Sequence, residues 1–515
     1  MTNSYVIRQN KYRRGAVLVG LVLAFLLAAN LDIAGGQNGD IGVFVPPFSI
    51  SPTSSDSSTW YCSAPSLNAN SASVLTLELT NNSGHRQTAQ IKFDQANGTV
   101  KMLHRALAPK SNMAIPVTAR GTGGLGIGID FSGGGDIAGL TLSGTLGYSQ
   151  EFCQPSPGPT WLVQGLGTGG SSSGKISIYN PFGTDSIIDL SFLTPDGLEQ
   201  PGPLQAMVLG PNRSMSVNVM DWVQGQSPIS AVIQTRLGRV VPGGLEMRSN
   251  PLPSGITFAP TSPETFPIYK FPLLDQTTNQ SVVLDLYNFS QNRQIISIST
   301  QSFAQNLVPG TATPSTFSSS TSRGLKSSFV EMVPGETAIS IPLKTIASVP
   351  VGTPFSLLVK GGAQFSAIVT LSGSTAGPDV GLTLEQGSEQ EWARWLSVLY
   401  SQPTGTDYKS VMIAYVAQKD GVSGLFLRDR LGSATLTETP NSIPTPAFSN
   451  GVPTVDGQNG VTLSTSRKMV NVYPTLSSGT SPIAYSLTAS SDALVAVAFV
   501  GSDGSIVPFS SIPMD

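Results

Sequence analysis

The chain has 515 residues, a net charge of −3 and 11% charged residues, about half the roughly 25% of ordinary soluble domains. That balance excludes the basic face a nucleic-acid binder needs, and 39% apolar residues exclude a disordered polymer. Two His and two Cys leave little for imidazole, thiolate or zinc chemistry, whereas Gly 54, Pro 38 and abundant Ser and Thr point to an all-β, extracytoplasmic protein.

At the N-terminus, Arg8, Lys11, Arg13 and Arg14 precede an uncharged apolar run from Ala16 to Ala29. Cationic flanks stay in the cytoplasm, so the chain after the run is expected outside. The run is short against the roughly 20 residues of a membrane span and resembles a signal-peptide core. No clean A-x-A site follows, Ala34-Gly35-Gly36 being the nearest, and no Cys is present for lipid attachment. The favoured reading is a basic cytoplasmic flank at 1–14 and an uncleaved signal anchor at 15–33, giving a single-pass membrane protein. Cleavage and secretion are the alternative. Residues 34–58, rich in Gly, Pro and Ser, read as a stalk.

Four β-units are expected next, at 59–156, 157–260, 261–380 and 388–515. Each opens on an aromatic segment: Thr59-Trp60-Tyr61-Cys62, Thr160-Trp161-Leu162-Val163, Ile268-Tyr269-Lys270-Phe271 and Arg394-Trp395-Leu396-Ser397. Two alternating strands around a turn follow, with Leu75, Leu77 and Leu79 before Asn81-Asn82-Ser83-Gly84 in the first. Ile176 and Ile178 precede Asn180-Pro181-Phe182-Gly183 in the second, and Val282, Leu284 and Leu286 precede Asn288 in the third. Period two means one face inward and one toward solvent. A further strand follows Pro109, Pro211 and Pro334, and a closing hairpin is expected around Gly238, around Gly361-Gly362 and, in the fourth unit, from Leu494 to Val500 through a turn at Asp503-Gly504. Six or seven strands in about 100 residues is the size of an immunoglobulin-like antiparallel sandwich. Ser302 to Ser328 reads as a Ser/Thr-rich loop. Ser388-x-x-Glu391 has the form of a helix capping box, but the repeat makes Trp395 to Tyr400 a strand.

Cys62 and Cys153 stand 91 positions apart. An even pair in an exported protein is expected to bond, and a loop of that length adds about 4 kcal/mol in the chain-entropy account.

Thr59-Trp60-Tyr61-Cys62, Cys153, Trp161, the loop Gly169 to Gly174, Asn180-Pro181-Phe182, Phe192 to Gly197 and Gly238-Arg239-Val240-Val241 together resemble an uncharacterised actinobacterial family of exported, N-terminally anchored β-rich proteins, a domain of unknown function. The likeness is strongest over 58–249. Relatives in that family tend to be encoded near a membrane glycosyltransferase, which implies a place in the cell envelope, and the resemblance brings no catalytic residues.

The apparent catalytic motifs read as architecture. Gly169 to Lys175 fits G-x-x-x-x-G-K, but Ile176 stands where Mg²⁺ needs Ser or Thr, and a strand follows instead of a helix. Gly121-x-Gly123-x-x-Gly126 and Gly165-x-Gly167-x-x-Gly170 also lead into strands. His85 and His104 have no nucleophile motif to serve and are expected at the surface. Trp60, Trp161 and Trp395 are expected to plug the cores of their units. The alternative is a row of rings stacking on envelope glycan. The resulting expectation is an envelope-anchored, non-enzymatic structural or interaction protein without catalytic residues, metal or cofactor. Its partners would be the membrane, and envelope glycan or envelope-assembly proteins. A glycan-binding accessory to glycan assembly is the alternative, with a carboxylate-based hydrolase behind it.

Overall fold

The computed structural model describes residues 58–373 with short breaks, the longest at 303–325, and beyond them the backbone of strands between 383 and 513. The expected anchor at 15–33 and the centre of the Ser/Thr-rich loop lie outside the described residues. Among the described residues no helix is long and apolar enough to cross a membrane. The described chain is all-β, built of small antiparallel sheets consistent with tandem sandwiches.

The first repeat contains β1 (Thr59–Ala64), β2 (Val74–Asn81), β3 (Gln87–Gln95), β4 (Val100–Leu107), β5 (Ser111–Val117), β6 (Leu125–Phe131), β7 (Asp136–Gly144) and β8 (Gly147–Phe152). Its two sheets have the orders β1-β6-β3-β4 and β5-β2-β7-β8. The second repeat contains β9 (Thr160–Leu166), β10 (Ser172–Asn180), β11 (Ser186–Thr194), β12 (Gly197–Glu199), β13 (Met207–Leu209), β14 (Arg213–Asn218), β15 (Ile229–Leu237), β16 (Val241–Arg248), β17 (Gly255–Ala259) and β18 (Thr261–Ser262). Its sheets are β14-β10-β16-β17 and β12-β11-β15-β9-β18, with β13 also on β11. The third contains β19 (Ile268–Leu274), β20 (Gln280–Asn288), β21 (Gln294–Ser302), β22 (Lys326–Val333), β23 (Thr337–Pro342), β24 (Phe355–Lys360), β25 (Phe365–Gly373) and β26 (Thr383–Gln386). Its sheets are β19-β24-β21-β22 and β23-β20-β25-β26. One strand order thus occurs three times, with β12 and β13 sharing the fourth place in the second repeat.

The last part keeps the same neighbours with one change. It contains β27 (Trp392–Leu399), β28 (Tyr408–Ala417), β29 (Gly424–Asp429), β30 (Leu436–Thr437), β31 (Gly460–Ser464), β32 (Arg467–Pro474), β33 (Ile483–Gly501), β34 (Ile506–Phe509) and β35 (Ile512–Pro513). The 19-residue β33 pairs β27 and β29 through its first half and β28 and β34 through its second. It takes the sixth and seventh places together. Trp392–Leu399 is a strand, as the repeat required, and not the helix of the capping box.

Several expectations need correction. Each of the first three repeats has an eighth strand, β8, β17 or β26, of four to six residues. β18 pairs with β9 and β26 with β25, beyond the boundaries expected at 260 and 380. The closing hairpins expected in the second and third units are not hairpins. β15 and β16 lie in different sheets, as do β24 and β25, so their turns are arches that carry the chain across the sandwich. In the last unit the expected hairpin is present: Leu494 to Val500, the second half of β33, pairs antiparallel with β34. Period-two alternation is the same for a hairpin and an arch, which is why the sequence did not separate them.

Alternation does place the cores. Leu75, Leu77 and Leu79 meet Ile91, Ile127 and Ile129 between the first two sheets. Ile176 and Ile178 meet Ile188, Leu190 and Ile233 in the second repeat. Leu284 and Leu286 meet Ile296, Ile298 and Val359 in the third.

Two side-chain ties recur at the arches. The opening aromatic of each of the first three repeats lies in its core and donates to a carbonyl where the seventh strand begins. Trp60 Nε1 reaches Asp136 O at 3.0 Å, Trp161 Nε1 reaches Val240 O at 2.8 Å, and the Tyr269 hydroxyl reaches Phe365 O at 3.2 Å. Across from these stand Asn81, Asn180 and Asn288, each ending a second strand. The Asn180 amide donates to Thr184 O, Leu209 O and Gly210 O at 2.7, 3.1 and 3.1 Å, and its carbonyl accepts the Phe182 amide at 3.1 Å. Asn81 and Asn288 make the corresponding sets. The loop before each fifth strand completes the corner with a left-handed residue, Lys110, Asn212 or Glu336. Its amide donates to Ser83 O, Phe182 O or Ser290 O respectively.

Asn180→Ala leaves three carbonyls without this donor, so it should lower stability by about 2–4 kcal/mol. Trp161→Ala should cost about 3–5 kcal/mol. Urea unfolding of the two variants measures both. An unchanged midpoint in either would remove that tie from the account.

Candidate functional site

The disulfide is present. Cys62 of β1 is bonded to Cys153, just past β8, with Cα atoms 4.7 Å apart. β1 and β8 are edge strands of opposite sheets, so the bond closes the open side of the first sandwich. Beside it Tyr61 and Gln154 exchange backbone hydrogen bonds at 2.7 and 2.8 Å. A small cleft lies there, lined by Tyr61, Glu151, Gln154 and Pro242 among others, with a volume of about 10 Å³. That is room for one water and not for a sugar ring. Glu151 accepts a hydrogen bond from Thr261 Oγ1 at 3.2 Å. Desolvation pushes its carboxyl up to about 8, so at neutral pH the group is mainly a proton donor.

The other predicted positions have structural surroundings. Trp60 and Trp161 are buried, at 0% and 1% exposure, and their ring nitrogens are engaged at the arches. Neither has a face for stacking on glycan, which corrects that alternative for these two. The Trp395 side chain lies outside the described residues. His85, in the turn after β2, and His104, on β4, are both exposed. Among the described residues no group of His, Cys, Asp and Glu is placed to hold a metal ion.

The Gly-rich motifs are consumed by the fold. The Gly165 amide donates to the Tyr287 hydroxyl at 3.1 Å and the Gly167 amide to Glu246 Oε2 at 3.0 Å. Lys175 leads along a strand and reaches Ser66 O at 3.3 Å.

The densest polar chemistry lies where one sandwich meets the next. At the first joint the Tyr179 hydroxyl donates to Asp94 Oδ2 at 2.6 Å, and Lys92 Nζ stands 2.8 Å from the same oxygen. Burial and this carboxylate push the Tyr179 phenol far up. The ring lies over Gly126, where a Cβ would come within 2.1 Å of it. Ser63 and Ser177 share a hydrogen bond at 2.7 Å, and Leu245, Ile256 and Phe258 of the second repeat join the first core. At the second joint Tyr287 accepts from Gly165, and Ser366 Oγ donates to Gln164 Oε1 at 3.0 Å. Tyr179 and Tyr287 hold one position: each precedes a corner asparagine and points away from its own core. The first repeat has Thr80 there, and the last has Tyr415 at the corresponding place in sequence.

Alternation alone made these outward positions solvent-facing, so sequence reasoning missed them. The signal available was the repeated Tyr-Asn pair at 179–180 and 287–288.

No family model matches the chain, and no curated protein does. Among solved structures, it is similar at 10% identity to a glycoside hydrolase family 32 protein from Bifidobacterium adolescentis, over 86% of this chain and 99% of that one, with a TM-score of 0.14. A Streptomyces avermitilis α-L-rhamnosidase aligns at 9% identity over 86% and 57%, with a TM-score of 0.10. A tetra-tandem repeat from the extending region of a large adhesion protein aligns at 8% over 88% and 100%, with a TM-score of 0.08. Likenesses of this size carry no argument about fold or activity.

Tyr179→Phe keeps the ring and removes the donor to a buried carboxylate, so it should cost about 1–3 kcal/mol. Differential scanning calorimetry should show the loss, and an unchanged transition would contradict the role given to the hydroxyl. Glu151 should also leave a pH signature. Its folded pKa lies above its unfolded value, so its contribution is fully present below about 4.5 and is lost as pH rises toward 8. Urea midpoints of the parent should therefore fall relative to Glu151→Gln between pH 5 and pH 9. Parallel midpoints would sink that assignment.

Proposed function

We propose that this is a cell-envelope-anchored, non-enzymatic structural or interaction protein, held by its N-terminal segment with immunoglobulin-like sandwiches outside the membrane. The observation that carries the reading is how the polar side chains are used. Trp60, Trp161, Asn81, Asn180, Asn288, Tyr179 and Tyr287 all spend their hydrogen bonds on holding strands and sandwiches together. The Cys62–Cys153 bond supports an oxidising, extracytoplasmic compartment. The cationic flank and apolar run support the anchor, and the resemblance to anchored actinobacterial proteins agrees with both. The partner would be another envelope component, met by the outer surfaces of the sandwiches.

Protease added to intact spheroplasts should digest the β-rich part and leave the cytoplasmic flank with the membrane. Cross-linking in intact cells should capture the chain with envelope proteins or glycan, and purified protein should turn over no envelope glycan. Protection of the β-rich part would refute the topology. Turnover would refute the non-enzymatic reading.

A further inference from the structure

The joint between the second and third sandwiches encloses two carboxyls, one from each. Glu246 on β16 is 0% exposed and Asp285 on β20 is 4% exposed. Glu246 Oε2 accepts the Gly167 amide at 3.0 Å, while Oε1 has no hydrogen bond. Arg248, next but one along β16, is 3.8 Å from that oxygen, beyond hydrogen-bond reach. Asp285 accepts the Ser340 hydroxyl of β23 and, at 2.9 Å, the Thr370 hydroxyl of β25. β10 presents Ser172 to Glu246, β17 places Thr257 opposite it in register, and β20 adds Tyr287. Among the described residues, Arg248 is the cation that acts on both carboxyls.

The first joint is built differently. Ser177 occupies the place of Asp285, three residues before the corner asparagine, and makes a neutral pair with Ser63. There Asp94 has Lys92 directly at 2.8 Å, and Glu151, which accepts from Thr261, stands without a second carboxyl beside it among the described residues. Among the described residues, the second joint sets two enclosed carboxyls against one cation held at a distance, and the first does not.

We propose that the joint between the second and third sandwiches is pH-sensitive: it is closed while Glu246 and Asp285 retain a proton between them and loosens when both are charged. Desolvation pushes Glu246 up to about 8 and Asp285 up to about 6. A carboxyl pKa raised by docking means that the docked state binds the proton more tightly than the undocked one. Docking is therefore strongest in acid and weakens as pH rises through the window from about 6 to about 8. The Gly165 amide donates across the joint to Tyr287 and so reports docking, while the Gly167 amide, bonded to Glu246 within its own repeat, reports the carboxyl itself.

Hydrogen exchange of the full chain, corrected for the intrinsic pH dependence of amide exchange, tests this. Between pH 5.5 and 8.5, protection of Gly165 and Gly167 should fall by about tenfold or more relative to Leu190 in the second core, because one unit of pKa displacement changes a coupled equilibrium tenfold. Glu246→Gln should hold its protection at pH 8.5. Protection that stays constant in the parent overturns the proposal, and so does an equal fall in a folded Glu246→Gln. If that variant does not fold, the parent series decides alone.

Discussion

A chain that crosses from one sheet to the other at a tight arch takes its backbone out of both ladders while still inside the sandwich. Carbonyls left there without donors cost as much as broken hydrogen bonds. In each of the first three sandwiches one asparagine meets that constraint at the corner after the second strand. Asn81, Asn180 and Asn288 each supply an amide to three carbonyls and a carbonyl to the turn. An aromatic donor serves the second arch of the same sandwich. The last repeat has Val416 at the asparagine's register, opposite Arg467. It is also the repeat in which the sixth and seventh strands run on as β33 and need no arch between them.

The corner asparagine fixes more than its own turn. The residue before it points outward, and in the second and third repeats that residue is a tyrosine inserted into the preceding sandwich. The corner that closes a core therefore also positions the contact that joins two cores. Shared apolar surface reinforces this at the first joint, where Leu245, Ile256 and Phe258 belong to the same buried cluster as Trp60 and Leu140. The two joints differ in charge: the first pairs Asp94 with Lys92 directly, whereas the second holds Glu246 and Asp285 against Arg248 at a distance.

Much of this was legible in the sequence. Leu75, Leu77 and Leu79, or Ile176 and Ile178, announce strands with one buried face. The opening aromatics mark the repeat, and the lone cysteine pair marks the bond that closes the first sandwich. Strand pairing was not legible, because arches and hairpins leave the same alternation. The eighth strands were hidden by their length. The joints were hidden by a sound rule applied where its premise fails: Tyr179, Ser177 and Asp285 lie on the outward face, and that face is covered by the neighbouring sandwich. Glu246 and Asp285 read as scattered acids because the sequence does not show that they meet.

The central claim is that the corner tyrosines fix neighbouring sandwiches in one orientation. Spin labels at Met102→Cys and Val330→Cys, exposed at 44% and 62% on the first and third repeats, would report it by double electron–electron resonance. The account predicts one narrow distance distribution near pH 6, broadened in a Tyr179→Ala, Tyr287→Ala variant that keeps its sandwiches folded. A broad distribution in the parent at that pH would contradict it.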